Sequence, residues 1–148
     1  MNRREFVTKS CLACISGGLL SSVLSSCQST HYVSGTFDAK GILIPKEEFI
    51  YLKKDEQMIR QFIVVHNEKL EFPIYLFRES DNEYNALWMK CSHQGSELRA
   101  SGDHLHCPSH GSEFDRKGKV VQGPAENPLR SFPTSVNDES IFIELTSA

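Results

Sequence analysis

The chain has 148 residues, of which 39% are hydrophobic, and its formal net charge is −3. This length is that of one domain, and the composition is that of a globular protein rather than a disordered one. Lysine and arginine do not gather into a basic face, so we expect no binding to nucleic acid.

The start of the chain has the layout of an export signal. A basic segment, MNRREFVTKS, precedes a mildly apolar run of small residues, CLACISGGLLSSVLSS. Arg3 and Arg4 resemble the twin-arginine signal, whose pathway exports folded proteins, and VLSSC resembles a bacterial lipobox that ends in Cys27. The pattern predicts a signal peptide over residues 1–26 and a polar tether over 27–35. We expect an exported protein on the periplasmic side, held at the membrane by lipid on Cys27; the alternative is an uncleaved N-terminal transmembrane anchor.

This interpretation leaves two cysteines in the mature chain. Of the five cysteines, Cys11 and Cys14 leave with the signal and Cys27 takes lipid, so that Cys91 and Cys107 remain. Outside the cytoplasm two remaining cysteines could form a disulfide, and this hypothesis has to be weighed against their histidine neighbours.

From residue 36 onward, short runs rich in Ile, Val, Phe and Tyr predict β-strands. In chain order they are TFDAKGILIPKEEFIYL, MIRQFIVVHN, LEFPIYLFRE, YNALWMKC, GKVVQG and SIFIELT, with turns at NEKLEF and ESDNEYN. No stretch has the period of a long amphipathic helix. The pattern predicts an all-β domain over residues 36–148, built mainly from antiparallel strands.

The segment 91–115, CSHQGSELRASGDHLHCPSHGSEFD, does not have a strand pattern. It contains Cys91-x-His93 and Cys107-x-x-His110 among glycines and polar residues that bury little apolar surface. Such a segment needs another source of order, and a metal centre that bridges two loops supplies it. Three chemistries use two cysteines and two histidines: a tetrahedral zinc ion, a catalytic Cys–His pair, and an iron–sulfur cluster with the cysteines on one iron and the histidines on the other.

These two pairs and their surroundings resemble the Rieske [2Fe–2S] family. CPSHGSEFD is similar to the second cluster loop of that family, and GPAENPL is similar to its proline loop. The resemblance implies a Rieske-type antiparallel β-sandwich or barrel-like fold with a small, loop-rich cluster-binding subdomain at about residues 88–130. It also implies that Cys91 and Cys107 bind one iron of a single [2Fe–2S] cluster, while His93 and His110 bind the other.

The resemblance further implies which neighbouring residues tune the cluster. Ser112 matches the serine whose hydroxyl bonds a cluster sulfide and raises the reduction potential, and Gly111 and Pro124 belong to the same surroundings. Phe114 stands where the family has a tyrosine that donates to the sulfur of a ligand cysteine. We therefore expect an intermediate reduction potential, below that of respiratory Rieske subunits.

A second departure from the family concerns the link between the two cluster loops. Quinol-oxidising Rieske subunits carry a further cysteine pair that staples these loops, and here Ser96 and Ser109 occupy those positions. The sequence therefore predicts no disulfide staple.

The function implied is one-electron transfer, with a redox protein docking at a tip formed by His93 and His110. One alternative is a small Rieske subunit of an oxidoreductase complex, either arsenite-oxidase-like or quinol–cytochrome c reductase-like. Another is an oxygenase, although the short segment after the proline loop leads us to expect no fused catalytic domain. A structural zinc module is the third alternative.

Several other residues have plainer interpretations. His104 and His106 are expected to be strand residues, with spare metal ligands as the alternative. Trp88 and Met89 are expected to pack beneath the cluster, and His31 is expected at the surface.

Overall fold

A computed structural model describes residues 29–145 and gives a nearly all-β chain. The predicted signal peptide, with Cys11 and Cys14, and the predicted lipidation site Cys27 lie outside the described residues. Within residues 29–145, no helix is long and apolar enough to cross a membrane. The strands of this range are β1 Tyr32–Val33, β2 Thr36–Phe37, β3 Gly41–Pro45, β4 Ile50–Lys53, β5 Glu56–Ile59, β6 Phe62–Val65, β7 Ile74–Arg78, β8 Tyr84–Trp88, β9 Arg99–Ser101, β10 His104–His106, β11 Glu113–Asp115, β12 Val120–Gln122, β13 Ser131–Phe132, β14 Thr134–Val136 and β15 Ser140–Glu144, with a 3-10 helix, Lys46–Phe49, between β3 and β4.

A five-stranded sheet, in the order β1-β6-β7-β8-β13, forms the centre of the fold. Its pairs are antiparallel except for β1 with β6. All of β6 (FIVV) and most of β7 (IYLFR) is buried. A strand that is covered on both faces needs an unbroken apolar run, which explains why these two sequences do not alternate. The prediction of an all-β, mainly antiparallel fold is confirmed.

The first core lies between one face of this sheet and a second sheet, in the order β14-β15-β3-β2. Alternate residues of β3 and β15 point into this core, and Ile42, Ile44, Ile141 and Ile143 have no exposed surface. The two strands approach closely at Gly41, where a Cβ atom would lie 2.0 Å from the Ile143 carbonyl oxygen. The two sheets together form the sandwich.

The second core covers the opposite face of the five-stranded sheet. Here Val64 and Tyr75 meet Leu105 and Phe114, which come from a small sheet in the order β12-β11-β10-β9. The Tyr75 hydroxyl also donates a hydrogen bond of 2.8 Å to the carbonyl of Gly102, in the turn between β9 and β10. This small sheet and its loops are the subdomain that the family resemblance implies.

Two of the predicted strand runs are divided in the structure. The run TFDAKGILIPKEEFIYL contains β2, β3, the 3-10 helix and the start of β4, while MIRQFIVVHN contains the end of β5 and all of β6. The chain turns after Pro45 because the 3-10 helix carries Phe49 into the first core, where its ring packs on Tyr84 at a centroid distance of 5.3 Å. Strands β4 and β5 then form a hairpin that pairs with no other strand of the described range.

Candidate metal centre

The first ligand loop, residues 91–96, follows β8 and closes on itself through two backbone hydrogen bonds. The Cys91 N–H donates to the Ser96 carbonyl at 2.8 Å, and the Gly95 N–H donates to the Cys91 carbonyl at 2.8 Å. Gly95 has a φ of 75°, in the left-handed region that glycine adopts without strain. The tight turn buries Cys91 and holds His93 close to it.

The second ligand loop, residues 107–112, repeats this hydrogen-bond pattern between β10 and β11. The Cys107 N–H donates to the Ser112 carbonyl at 2.8 Å, and the Gly111 N–H donates to the Cys107 carbonyl at 3.0 Å. Gly111 has a φ of 77°, within two degrees of its counterpart in the first loop. The two loops therefore present their cysteines in the same way, although the spacing from cysteine to histidine differs by one residue.

The two cysteine side chains lie close enough to share a hydrogen bond, and both are free and buried. The disulfide that the sequence left open is therefore not formed. In each loop, the N–H groups of the second and third residues after the cysteine donate to its sulfur. Backbone donors of this kind favour the thiolate, which is the form that binds metal.

The two thiols differ in acidity. Burial is the largest influence on each and raises the pKa of Cys91 above its ordinary value. At Cys107, burial acts in the same direction but is outweighed by the N–H groups of Ser109 and His110 and by the side chains of Cys91 and Ser109, so the pKa of the Cys107 thiol is lowered.

The two predicted histidine ligands also lie together. The rings of His93 and His110 meet edge to face, with their centroids 5.0 Å apart and their planes at 87°. His110 is exposed and His93 is half-buried. The Nδ1 atom of His93 is buried without a hydrogen-bond partner among residues 29–145. A buried polar atom left unpaired costs about 1–3 kcal/mol, and a metal ion is a suitable partner for an imidazole nitrogen.

The donors thus fall into a pair of sulfurs and a pair of imidazoles. No three Cys, His, Asp or Glu side chains of the described range form a group around a single ion position. Two donors of one kind for each metal is the arrangement that a Rieske cluster requires, with inorganic sulfide completing each iron. The residues fit this group: Cys91 and Cys107 would hold one iron, and His93 and His110 the other. When bound, the cluster supplies one-electron redox chemistry.

A third loop, residues 123–129, packs against both ligand loops. The Ser92 hydroxyl donates to the Asn127 carbonyl at 2.6 Å. Gly123 has a φ of 93°, and a Cβ atom there would lie 2.5 Å from the Cα atom of Ser112. This close approach requires glycine. Pro124 itself is exposed, and the predicted tuning role of this residue stays a prediction.

Ser112 has no exposed surface, and its Oγ accepts a hydrogen bond of 3.2 Å from the Ala125 N–H. Accepting this bond leaves the hydroxyl proton available for a second partner, as the predicted bond to a cluster sulfide requires. Phe114 is fully buried in the second core, together with both ligand cysteines. Nothing local in the sequence marks the Ala125 N–H as the partner of Ser112, or the Asn127 carbonyl as the partner of Ser92.

Ser96 and Ser109, the positions at which the sequence predicts no disulfide staple, contact each other directly. The Ser109 hydroxyl donates to the Ser96 hydroxyl at 2.8 Å, so a hydrogen bond joins the two ligand loops where a disulfide was predicted to be absent.

Two cations flank an aromatic ring beside the first ligand loop. The Nζ atom of Lys90 lies 4.9 Å and the guanidinium carbon of Arg130 lies 5.5 Å from the centre of the Trp88 ring. These side chains line an open cleft of about 540 Å³, whose wall includes Pro128 and His93. The prediction that Trp88 packs beneath the cluster is wrong, since the half-buried ring packs against the first core and the ligand cysteines belong to the second. The alternative, that Trp88 lies at an edge that faces a partner, stays a prediction.

The remaining histidines are placed as follows. His104 and His106 lie in β10, beside acidic side chains, and Nδ1 of His106 is 3.7 Å from Glu113 Oε1. Their interpretation as strand residues is confirmed. Met89 is buried in the second core, as expected. His31 is more than a surface residue, because its Nε2 lies 2.9 Å from Glu48 Oε2.

Comparison with known proteins agrees with this site. The Rieske [2Fe-2S] domain matches residues 49–133. The cytochrome b6-f complex iron-sulfur subunit of Synechococcus elongatus is 40% identical over 78 residues, which cover 48% of this chain and 42% of that protein. The oxygenase component of dicamba O-demethylase from Stenotrophomonas maltophilia is 36% identical over 84 residues, which cover 50% of this chain and 25% of that one. The chain thus spans less than half the length of these curated relatives.

Among solved structures, the cyanobacterial plasma membrane Rieske protein PetC3 from Synechocystis PCC 6803 aligns with a TM-score of 0.49 and 25% identity, over 57% of this chain and 86% of that one. The domain match covers more than half of the present chain and includes all four predicted ligands. The chain therefore belongs to the Rieske [2Fe-2S] domain family, whose cluster transfers electrons.

Proposed function

We propose that this chain is a one-electron carrier of the cell envelope, attached to the membrane through lipid on Cys27 and facing the periplasmic side. The observation that carries the electron-transfer role is the separate pairing of two cysteine sulfurs and two histidine rings in the ligand loops. Support for export and attachment comes from the twin-arginine and lipobox patterns of residues 1–27.

A redox protein is the proposed partner, and it docks at the tip formed by His93 and His110. Exposure of the His110 ring brings one predicted ligand to the surface, so that an electron has a short path to a docked partner. The cleft beside His93 carries Arg130 and Lys90, and the Nζ atom of Lys90 lies 3.3 Å from Glu71 Oε1. Charged side chains in this position make the rate of association with a partner dependent on salt.

The second candidate is a small Rieske subunit of an oxidoreductase complex. The 40% identity to a cytochrome b6-f iron-sulfur subunit supports this alternative. Purification from the native membrane in mild detergent distinguishes the two functions: a stable complex with further redox subunits supports the subunit, and a chain that elutes alone supports the carrier.

The cluster is tested by low-temperature EPR on the dithionite-reduced protein, with iron and acid-labile sulfide assayed on the same sample. We expect a rhombic Rieske-type signal and equal amounts of iron and sulfide. Potentiometric titration of that signal then tests the predicted intermediate potential. A sample that contains zinc and gives no EPR signal would contradict the proposed function. A reduction potential as high as that of respiratory Rieske subunits would contradict only the predicted intermediate potential.

Membrane attachment is tested by cell fractionation of Cys27→Ser, with Cys14→Ser as the matched control. Loss of the lipidated cysteine is expected to move the protein out of the membrane fraction, while the control remains there. If Cys27→Ser stays in the membrane, lipid at this residue is not the anchor. The double variant R3K/R4K is expected to retain the protein in the cytoplasm if export follows the twin-arginine route.

A further inference from the structure

The hairpin of β4 and β5 has an apolar face that the rest of the described chain does not cover. Ile50, Leu52 and Ile59 are 42%, 75% and 53% exposed. Ile50 pairs directly with Ile59, and Leu52 lies two residues along the same strand, so the three side chains share one face of the hairpin. Contiguous exposed apolar side chains of this size mark a contact surface.

The other face of the hairpin is more polar and carries Tyr51, Lys53, Glu56 and Met58, of which only Tyr51 is half-buried. Tyr51 lies on that face, and the guanidinium carbon of Arg60 is 4.4 Å from the centre of its ring. At the base of the hairpin, the Arg60 N–H donates to the Phe49 carbonyl at 2.7 Å. These contacts brace the base of the hairpin and do not involve the side chains of Ile50, Leu52 and Ile59.

The hairpin lies at the end of the central sheet that is opposite to the ligand loops. Its base residue Phe49 packs on Tyr84, the first residue of β8, whereas Cys91 lies three residues beyond Trp88, the last residue of that strand. A surface that covered the hairpin would therefore leave the tip formed by His93 and His110 free for a partner.

The N-terminal segment reaches the body of the protein at the same end. His31 bonds to Glu48, in the 3-10 helix that leads directly into β4. Only three residues lie between Cys27 and His31, so even a fully extended chain, four residue steps long, places the proposed lipid within about 14 Å of His31. The hairpin itself is about 13 Å long and is thus within reach of the same bilayer surface.

From this arrangement we propose that the Ile50, Leu52 and Ile59 face of the β4–β5 hairpin rests in the interface of the lipid bilayer and orients the anchored domain with its cluster end away from the membrane. This inference rests on the membrane anchor at Cys27 proposed above. Lys53 and Lys54 next to Leu52 meet lipid phosphates, but Asp55 and Glu56 follow them, so apolar contact rather than net charge drives the insertion.

The test uses the full lipidated chain reconstituted into phosphatidylethanolamine–phosphatidylglycerol vesicles, with the environment-sensitive fluorophore NBD on a single introduced cysteine. Leu52→Cys is the reporter for the apolar face. Glu56→Cys is a control on the opposite face of the same hairpin, and Val121→Cys, which is 59% exposed in β12, is a control in the cluster-binding subdomain. The absorption of the cluster confirms that each labelled protein is folded.

We expect NBD at residue 52 to become several-fold brighter on reconstitution and to be quenched by lipids with brominated acyl chains. The labels at residues 56 and 121 should change little, and the response should persist at high salt. If the protein floats with the vesicles while the label at residue 52 stays in water, the hairpin proposal is wrong although the anchor stands.

Two other outcomes also overturn the proposal. In the first, the NBD fluorescence at residue 52 increases with the ratio of protein to lipid and is not quenched by brominated lipid. This result would mean that a protein partner, or a second copy of this chain, covers the hairpin face. If the protein fails to float at all, the anchor fails and the hairpin proposal fails with it. An intact cluster signal in that sample would still support the electron-transfer function.

Discussion

At the scale of single residues, the two positions predicted to set the reduction potential lie at the end of the second ligand loop and in the strand β11 that follows it. Ser112 is fully buried and accepts a hydrogen bond from the backbone of Ala125. Phe114, two residues later, is fully buried beside both ligand cysteines and has no hydroxyl to offer. A hydrogen bond to the cluster or its ligands favours the more negative, reduced state. Each residue can therefore be tested by adding or removing one hydroxyl.

The variant Ser112→Ala is expected to lower the reduction potential, because the hydroxyl predicted to bond a sulfide is lost. A bond that favours the reduced state by a factor of about ten corresponds to roughly 60 mV for one electron. The Ala125 N–H also loses its acceptor, which costs about 1–3 kcal/mol of unfolding free energy. Redox titration and denaturant unfolding measure the two effects, with the exposed Ser135→Ala as control. An unchanged potential would remove Ser112 from the tuning residues.

The variant Phe114→Tyr is expected to raise the reduction potential by a similar amount, if its hydroxyl finds the sulfur of a ligand cysteine. The direction follows from the added donor, and the size is again roughly 60 mV for a tenfold preference. Phe142→Tyr, in the sheet remote from the ligand loops, controls for the added hydroxyl. A loss of stability without a change in potential would mean that the new hydroxyl is buried without an acceptor and does not reach the sulfur.

At the scale of elements, the cluster-binding subdomain depends on contacts between segments that are each too short to be ordered alone. The two ligand loops share one backbone pattern, and the hydrogen bond between Ser96 and Ser109 joins them. The Tyr75 hydroxyl joins the turn between β9 and β10 to the central sheet. Both contacts can be altered without changing a predicted ligand.

The double variant S96C/S109C is expected to form a disulfide under oxidising conditions. The two hydroxyl oxygens are already 2.8 Å apart, so the positions are close enough for a bridge after a small adjustment. A crosslink over a segment of this length is expected to add about 3 kcal/mol to the unfolding free energy. Thiol counting and denaturant unfolding test this, with S96C and S109C as single controls. Free thiols in the oxidised double variant would contradict the geometry.

The variant Tyr75→Phe is expected to change how stability depends on pH. Burial, helped by the nearby Asp103, raises the pKa of the Tyr75 hydroxyl far above its ordinary value. The folded state therefore keeps this proton while the unfolded state loses it above about pH 10, so stability falls as the pH rises past that point. Below pH 10, Tyr75→Phe should cost about 1 kcal/mol through the lost hydrogen bond.

The difference in unfolding free energy between wild type and Tyr75→Phe should consequently narrow from pH 9 to pH 11. Urea unfolding at several pH values measures it, with Tyr32→Phe, at an exposed position, as the control. A difference that stays constant over this range would show that the Tyr75 proton does not contribute. Burial also raises the pKa of Tyr84, but that residue is present in all three proteins and its contribution cancels.

At the scale of the whole molecule, the central sheet is shared by two cores that depend on different sources of stability. The first core is closed by apolar side chains from two sheets. The second core includes both ligand cysteines and lies beneath loops that bury little apolar surface of their own. Loss of the cluster should therefore affect the two cores unequally.

The variant Cys107→Ser is expected to lose the cluster and, with it, the protection of amides in residues 91–125 against hydrogen exchange. Amides of β3 and β15 should keep most of their protection, because the first core contains no predicted ligand. Hydrogen exchange followed by mass spectrometry measures both regions, and Ser135→Ala is the control. Equal loss of protection throughout the chain would show that the two cores unfold as one unit.

Much of the site could be predicted from the sequence because its chemistry depends on the types of the donor residues and on their local spacing. Cys91, His93, Cys107 and His110 stand out by the softness of their donors and by their glycine-rich surroundings. The expectation that residues 91–115 contain no strand was wrong, because β9, β10 and β11 lie there and are held by pairing with one another. The all-β fold was equally visible, since runs of Ile, Val, Phe and Tyr between turns do not depend on distant partners. The division of the first strand run was missed, because the burial of Phe49 against Tyr84 depends on a residue much later in the chain.

Only the tertiary structure decided what lies between segments that are remote in sequence. The bond between Ser96 and Ser109, the contact of Arg130 with Trp88 and the uncovered hairpin face each depend on which parts of the chain meet. The sequence by itself determined the kind of fold and the donor set, because strand propensity and metal affinity belong to residues and their near neighbours. Contacts across the fold are set by the joint packing of all strands, and no single segment encodes them.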